Sequence, residues 1–260
     1  MDREQRRRHY LEAMGITMWV PRFPPPGTVD ALNTDAPTSP VCRDGNDALI
    51  SGLAGATHPP LPETTTSGEN PNPIATMDWD TLEARVRGCT ACALHRTRTQ
   101  TVFGVGNREA SWLVIGEAPG EQEDLKGEPF VGRAGQLLNE MLRAVGLSRE
   151  SVYIANILKC RPPQNRDPQP DEASACEAFL QRQLALIQPR IILAVGRVAA
   201  QNLLKTDIPI GKLRGSVHRY TGIPLVVTYH PAYLLRSPLE KRKAWDDLRL
   251  ALRTFRESKP

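Results

Sequence analysis

The sequence lacks a long hydrophobic run. No uninterrupted apolar stretch reaches the roughly 18 residues that a membrane-spanning helix needs. The first eight residues, MDREQRRR, contain no apolar core of the kind that defines a secretory signal peptide. We therefore expect a cytoplasmic protein that does not contact a membrane.

Two nucleotide-binding signatures are also missing. The chain contains neither G-x-G-x-x-G nor G-K-[ST], so a Rossmann dinucleotide site and a P-loop are both unexpected. Strongly one-sided charge is absent overall, since the net charge is only +4. The balance is nevertheless uneven: residues 1–76 carry 6 Lys and Arg against 9 Asp and Glu, whereas residues 77–260 carry 27 against 20. A basic second part is what a nucleic-acid-binding surface requires, although many basic domains bind no polyanion.

Cysteine is scarce, with five residues in 260. Without an export signal, a disulfide framework is not expected, and such cysteines more often bind metal or take part in catalysis. Four of them form two pairs: Cys89 and Cys92 in a C-x2-C motif, and Cys160 and Cys176 with fifteen residues between them. Four thiolates from two segments suit zinc or a [4Fe–4S] cluster, and spacing alone does not separate these from buried free cysteines. Cys42 lies apart from both pairs.

Composition divides the chain into three parts. Residues 1–20 are predicted to form a short helix, which either packs on its own domain or serves as a docking peptide for a protein partner. Residues 21–76 contain 11 of the 23 prolines and are predicted to be a disordered linker. Residues 77–260 contain the apolar patterns of a globular domain.

Short apolar runs alternate with amphipathic segments in the globular part. Strands are predicted at 112–115, 152–158, 191–195 and 225–229, the last paired with 217–220 across a Thr-Gly turn. Helices are predicted between them, for example over 134–145 and 171–187. This alternation predicts an α/β fold with a mostly parallel sheet that is covered on both faces.

Polar and aromatic side chains gather where the predicted strands end. Glu117 leaves the first strand and Phe130 follows it, Asn156 lies in the second strand, and His230 ends the last. Ligands of open α/β sheets bind outside the carboxyl ends of the strands. An aromatic face, an amide and an imidazole together suit a flat, polar heterocycle. Each residue alone has a plainer reading, as a core ring, a strand-edge amide or a turn residue.

Three segments carry a resemblance to a known family. They are 116–124 (GEAPGEQED) with 129–135 (PFVGRAG), 156–166 (NILKCRPPQNR) and 230–235 (HPAYLL). In this order, and with the four cysteines, they resemble the family 4 (type 4) uracil-DNA glycosylases over roughly residues 80–255. Residues 1–76 lie outside the resemblance.

The resemblance implies a three-layer α/β/α sandwich with a central four-stranded, mostly parallel sheet. It also implies a monomeric DNA-repair enzyme of the bacterial or archaeal cytosol that hydrolyses the uracil N-glycosidic bond in single- and double-stranded DNA. A [4Fe–4S] cluster would be bound by Cys89, Cys92, Cys160 and Cys176.

The same resemblance implies roles for the strand-end residues. Phe130 would stack on an extruded uracil, Asn156 would read its polar edge, and His230 would stabilise charge on its O2 atom. The remaining matched positions are assigned to the catalytic pocket (Glu117, Glu123, Asn165), to its lining (Ala118) and to a wedge that enters the emptied base stack (Leu234).

Three questions stay open at this level. Related glycosylases that use Asp for water place it directly after the position of Glu117, where this chain has Ala118. Glu123 is the candidate for excluding thymine. Four arginines near the cysteines would contact DNA phosphates or form a solvated basic rim: Arg96, Arg98, Arg161 and Arg166.

Other classes of function also fit parts of the pattern. A non-catalytic iron–sulfur module that binds nucleic acid would have no need of the complete Phe130, Asn156 and His230 set. A small electron-transfer protein would need neither that set nor a basic domain. A related group that bonds covalently to DNA through a His in an inserted loop is not favoured, because no insertion separates Cys160 from Cys176.

Overall fold

A computed structural model of the chain describes residue 5 and residues 73–258, and every structural statement below concerns these residues. Apart from residue 5, the predicted helix at 1–20 lies outside them, as does the predicted linker at 21–76 up to residue 72. None of the helices in the described part combines the length and hydrophobicity that a membrane span requires.

The described residues contain one mixed sheet of six strands in the order β1-β3-β2-β4-β6-β5. The strands are β1 (Val105–Gly106), β2 (Trp112–Gly116), β3 (Tyr153–Asn156), β4 (Ile191–Val195), β5 (Val217–Tyr220) and β6 (Ile223–Thr228). The four central strands are parallel, and β1 and β5 add antiparallel edges. The predicted fold class is confirmed, with the four-stranded centre widened by the two edge strands.

Eight α-helices occur in the same part of the chain. They are α1 (Trp79–Arg87), α2 (Glu121–Lys126), α3 (Arg133–Ala144), α4 (Pro170–Ile187), α5 (Arg197–Leu204), α6 (Ile210–Leu213), α7 (Pro231–Arg236) and α8 (Lys241–Glu257). Helix α1 begins directly after Asp78, whose carboxylate caps it by accepting a hydrogen bond of 2.9 Å from the Thr81 N–H.

The alternation of side chains along β2 divides the core into two layers. Leu113 and Ile115 pack with α1, α4, α5 and α6 on one face, whereas Trp112 and Val114 pack with α3, α7 and α8 on the other. Both faces are therefore covered, which explains why β2 and β4 are buried along their whole length and read as unbroken apolar runs.

The parallel register brings the carboxyl ends of the central strands to one edge of the sheet. Gly116 at the end of β2 is aligned with Asn156 at the end of β3, and Val195 of β4 is aligned with Thr228 of β6. From β2 the chain goes to β3 on one side, and it then crosses back to β4 on the other. This change of direction leaves a crevice outside the strand ends.

A buried ion pair joins α8 to the segment before β5. The Asp247 side chain has no solvent exposure, and its two oxygens accept hydrogen bonds of 3.0 and 2.9 Å from the Arg214 guanidinium. The same guanidinium lies 5.1 Å above the centre of the Tyr229 ring. Removal of one partner of a buried pair leaves an uncompensated charge in a medium of low dielectric constant.

We therefore expect Arg214→Met to lower the free energy of unfolding by about 3–5 kcal/mol. Urea denaturation followed by circular dichroism measures this loss. Arg219→Met is the matched control, because Arg219 is exposed and donates only to the Gly222 carbonyl. Equal denaturation midpoints for the two variants would contradict the prediction.

Candidate active site

A cleft of about 750 Å³ lies at the carboxyl edge of the sheet. Its walls come from the loops after β2, β3, β4 and β6, as expected for an open α/β sheet. Most of the predicted pocket residues line it: Glu117, Ala118, Glu123, Phe130, Asn156, Asn165 and His230. Residues separated by more than a hundred positions are thus brought to one cleft.

Phe130 is held in a backbone conformation that side-chain-bearing residues rarely adopt. Its φ angle is +54°, and its ring stacks on that of His230 with centroids 5.6 Å apart and planes at 30°. Arg149 donates a hydrogen bond of 3.2 Å to the Phe130 carbonyl. Gly135 gives this carbonyl space, since a Cβ atom there would lie 1.7 Å from the oxygen.

Gly116 lets the ring and the amide approach each other. A Cβ atom on Gly116 would lie 2.4 Å from Asn156 Oδ1 and 2.6 Å from Phe130 Cζ. Such distances are shorter than any van der Waals contact, so only glycine fits at the end of β2. The two predicted recognition residues therefore converge over a bare stretch of backbone.

Asn156 presents an unsatisfied acceptor. The residue is 2 % exposed, and its buried Oδ1 atom has no hydrogen-bond partner among the described residues. A buried polar atom without a partner costs about 1–3 kcal/mol, so native structures rarely keep one without a reason. An acceptor at the cleft wall is suited to a ligand that brings its own N–H group.

The surroundings of His230 determine which of its ring nitrogens carries the proton. The Ala232 N–H donates to His230 Nδ1 over 3.2 Å at the start of α7, so the neutral ring carries its hydrogen on Nε2. Removal from water, aided by the nearby Arg236 charge, lowers the pKa of His230 to about 4. At neutral pH the ring is therefore an uncharged donor.

Glu117 is the carboxylate of the cleft whose protonation is most altered. Removal from water raises the pKa of Glu117 to about 7, and the negative charge of Asp167 adds to the rise, while the Arg197 charge opposes it. Arg197 is itself paired with Asp167. Near pH 7 both forms of Glu117 are present, which is typical of groups that exchange protons or stabilise charge.

Glu123 and Asn165 line the cleft but are engaged with the protein. Glu123 Oε1 accepts hydrogen bonds of 2.9 and 3.1 Å from the N–H groups of Val131 and Gly132, so it fixes the loop that follows Phe130. Asn165 Oδ1 accepts 2.8 Å from Arg161 Nε. In this geometry Glu123 supports the wall of the cleft.

The prediction that Leu234 enters the DNA stack is corrected by the structure. The segment after His230 is helix α7, whose turn directs Leu234 into the core, where it is 1 % exposed. A side chain packed in this way is not free to enter another molecule. The exposed neighbours are Tyr233, which lines the cleft, and Leu235, both 37 % exposed.

The four predicted metal ligands line one small cavity, together with Lys159, which comes three residues after the end of β3. Cys89 and Cys92 are half-buried, whereas Cys160 and Cys176 are buried. Arg98 Nη1 donates to Cys160 Sγ over 3.1 Å. Burial raises the pKa of Cys176 to about 11, so a bound metal would have to supply the positive charge that releases its proton.

Zinc and a [4Fe–4S] cluster place different demands on four cysteines. Tetrahedral zinc with Zn–S bonds of about 2.3 Å needs sulfurs within about 4 Å of one another. In a [4Fe–4S] cluster each cysteine binds a different iron, so the sulfurs surround a larger volume. Within the described ranges, no three His, Cys, Asp or Glu side chains already form a site for a metal ion. Four cysteine donors around one cavity suit either group.

The arginines near the cysteines differ in their contacts. Arg98 donates to a cysteine sulfur, Arg161 binds Asn165, and Arg166 forms a two-pronged pair of 2.9 and 2.6 Å with Glu172. Arg96 is exposed. Three of the four arginines therefore form side-chain hydrogen bonds within the protein.

Sequence reasoning missed several cleft residues. They include Arg197, Tyr229, Tyr233 and Arg236. Arg197 had a usable signal, because it comes two residues after the end of β4 and the strand-end argument applies there as well. Tyr229 directly precedes His230 after β6, whereas Tyr233 and Arg236 lie on the short helix α7.

Comparison with known proteins identifies the family. A sequence model described as the Uracil DNA glycosylase superfamily matches residues 103–249, more than half of the chain. The chain belongs to this superfamily. Three type-4 uracil-DNA glycosylases are similar to it over most of their length, and they place it in the type-4 group.

The protein of Archaeoglobus fulgidus is 47% identical over 61% of this chain and 84% of its own. That of Thermotoga maritima is 48% identical over 60% of this chain and 82% of its own. That of Saccharolobus solfataricus is 44% identical over 65% of this chain and 83% of its own. The predicted family and enzyme class, a uracil-DNA glycosylase, are confirmed.

The glycosylase site predicts a sharp effect of one methyl group. Gly116→Ala would push Asn156 Oδ1 and the Phe130 ring out of place, and a misplacement of about 1 Å costs about 10²-fold in rate. Cleavage of a single-uracil oligonucleotide after alkali treatment measures kcat/KM. Gly211→Ala is the control, since a Cβ atom there meets nothing within 4 Å. Unchanged kcat/KM in Gly116→Ala would contradict this account of the cleft.

Proposed function

We propose that this type-4 uracil-DNA glycosylase extrudes a uracil from DNA and binds it against Phe130, Asn156 and His230 while the N-glycosidic bond is hydrolysed. The observation that carries the proposal is the buried, unpartnered Asn156 Oδ1 beside the stacked rings of Phe130 and His230. A base inside a duplex cannot present its sugar bond to a cleft, so it must leave the stack first. Single-stranded DNA, which needs less unstacking, is also a substrate.

Recognition of uracil follows from the Asn156 amide. Its oxygen accepts from uracil N3–H, and its NH₂ group donates to O4. Cytosine presents the reverse pattern, an acceptor at N3 and a donor at N4, so the same amide leaves both groups unpaired. The Phe130 ring adds stacking, which is tolerant of base identity.

Bond breaking leaves negative charge on uracil O2 and positive charge on the sugar. Neutral His230 donates from Nε2 toward the first of these charges, a form of electrostatic stabilisation that is arranged before the reaction. Ala118 offers no carboxylate for water. Ionised Glu117 therefore stabilises the sugar cation or orients the attacking water.

The four cysteines are proposed to bind a [4Fe–4S] cluster through Cys89, Cys92, Cys160 and Cys176. When bound, the cluster supplies a cross-link between the Cys89–Cys92 loop and the Cys160–Cys176 segment. Iron and sulfide analysis tests this assignment, and zinc without sulfide would overturn it.

The remaining proposals concern the rest of the chain. Residues 77–260 form the glycosylase domain, which acts as a monomer. Residues 21–76 serve as a linker, and residues 1–20 bind a protein partner or pack on the domain.

His230→Ala tests the proposed function most directly. Loss of a single donor to a developing oxyanion costs about 10²–10³ in rate, so we expect kcat on a single-uracil oligonucleotide to fall by that amount. The variant should keep its iron, because His230 does not line the cysteine cavity. Uncut uracil DNA with iron-loaded wild-type protein would instead favour a non-catalytic binding module.

The pH profile tests the role of Glu117. Because its pKa is raised to about 7 and the ionised form is required, kcat/KM should fall by up to about tenfold per pH unit below 7. Glu117→Gln should be slow and nearly independent of pH over this range. His230 adds no inflection near its ordinary pKa, since its value is lowered to about 4. A wild-type rate that stays flat between pH 5 and 7 would reject this role for Glu117.

A further inference from the structure

Lys159 is a buried cation that lies between the cleft and the cysteine cavity. The residue is 1 % exposed, and it lines the cavity together with Cys160 and Cys176. Its Nζ donates 3.0 Å to the Asn156 carbonyl and 2.6 Å to Gln183 Oε1. One residue thus contacts the residue proposed to read the base and borders the cavity of the proposed metal ligands.

The two acceptors of Lys159 are fixed in place. Asn156 ends β3, and its backbone is part of the parallel ladder with β2. Gln183 is fully buried on α4, and its Nε2 donates 2.9 Å to the Phe103 carbonyl and 3.3 Å to the Tyr153 hydroxyl. These bonds turn Gln183 Oε1 toward the ammonium, so the position of Nζ is determined from two sides.

Both acceptors are neutral, so neither of them compensates the positive charge of Lys159. Across residues 73–258, no carboxylate forms an ion pair with this ammonium. An isolated buried charge is costly, so buried lysines are normally paired with an anion. Cysteine thiolates are the anions that could compensate this charge, because four of them would line the same cavity when metal is bound.

We propose that Lys159 is a positioning residue that couples the four-cysteine metal centre to Asn156. The proposal depends on the proposed function, because it needs both an anionic metal centre and the reading of uracil by Asn156. The negative charge of the thiolate-bound centre stabilises the ammonium, and the ammonium holds the Asn156 carbonyl. The orientation of the Asn156 amide in the cleft then depends on an intact metal centre.

A double-mutant cycle in the full-length, iron-loaded protein tests this coupling. Lys159→Met removes the charge and the hydrogen bond with a side chain of similar length, and we expect kcat/KM on a single-uracil oligonucleotide to fall about 10–100-fold. If Lys159 acts through Asn156, the Asn156→Ala/Lys159→Met double variant is no slower than Asn156→Ala alone. Multiplied losses in the double variant overturn the proposal.

A second readout does not depend on activity. The visible absorbance of the cluster should decay faster in Lys159→Met than in wild type when a chelator is present, also in the Asn156→Ala background. Arg98→Met is the comparison, since Arg98 donates to Cys160 Sγ but does not touch Asn156. It should also speed the decay of the absorbance, while the Lys159 hydrogen bond to the Asn156 carbonyl stays in place. Equal decay in Lys159→Met and wild type overturns the proposal.

Lys159→Gln covers the case in which Lys159→Met does not fold. Lys159→Gln keeps an N–H donor but removes the charge, so we expect the cluster to decay faster than in wild type. Its loss of kcat/KM should be smaller than that of Lys159→Met. If Lys159→Met is insoluble, the loss is compared with that of Asn156→Ala instead. A loss as large as that of Asn156→Ala with unchanged cluster decay would overturn the coupling. Inactive or iron-free wild-type protein would instead refute the proposed function, so the two failures are distinguishable.

Discussion

The close approach of Asn156 and Phe130 over Gly116 is the constraint on which the rest of the site depends. A parallel ladder aligns Gly116 with Asn156, and the absence of a Cβ atom allows the amide and the ring to meet there. The ring reaches this position only because its backbone adopts a positive φ angle. Such strain persists where surrounding contacts over-determine it, and Glu123 and Gly135 provide those contacts on either side of the loop.

Removal from water explains the altered pKa values of Glu117 and His230 in the cleft. The same low-dielectric surroundings keep His230 neutral and shift the ionisation of Glu117 toward neutral pH. In the proposed reaction, neutral His230 donates from Nε2 to a leaving group that becomes an anion, and no positive charge has to be buried there before the bond breaks. The ionised fraction of Glu117 near pH 7 supplies negative charge for a sugar that becomes a cation. One environment therefore affects the two residue types differently, because it keeps the imidazole uncharged and leaves the carboxyl group partly ionised.

Much of this site could be predicted from sequence, because the carboxyl ends of parallel strands meet at one edge whatever the details of packing. Glu117, Asn156 and His230 follow directly from that rule. Leu234 was misassigned because its direction depends on whether the segment after His230 is a loop or the helix α7. The sequence also could not predict that the hydrogen of neutral His230 lies on Nε2, since this depends on a single N–H group two residues away. Strand β1, two residues long, carries too little alternation to be recognised.

The stretch from Asn156 to Asn165 explains why a metal centre would lie so close to a cleft that has no chemical need for one. Within ten residues it carries a cleft amide, the buried Lys159, the cysteine Cys160 and a second cleft residue. Backbone hydrogen bonds hold its first residues, from Ile157 to Gly116, from Leu158 to Glu117 and from Val102 to Lys159. After Cys160 it runs through two prolines and two consecutive residues with positive φ angles, with only a short 3-10 turn. A side-chain cross-link between Cys160 and Cys176 through metal would restrain this segment where regular secondary structure does not. Precise placement of the cleft residues would then depend on a centre that never contacts the substrate.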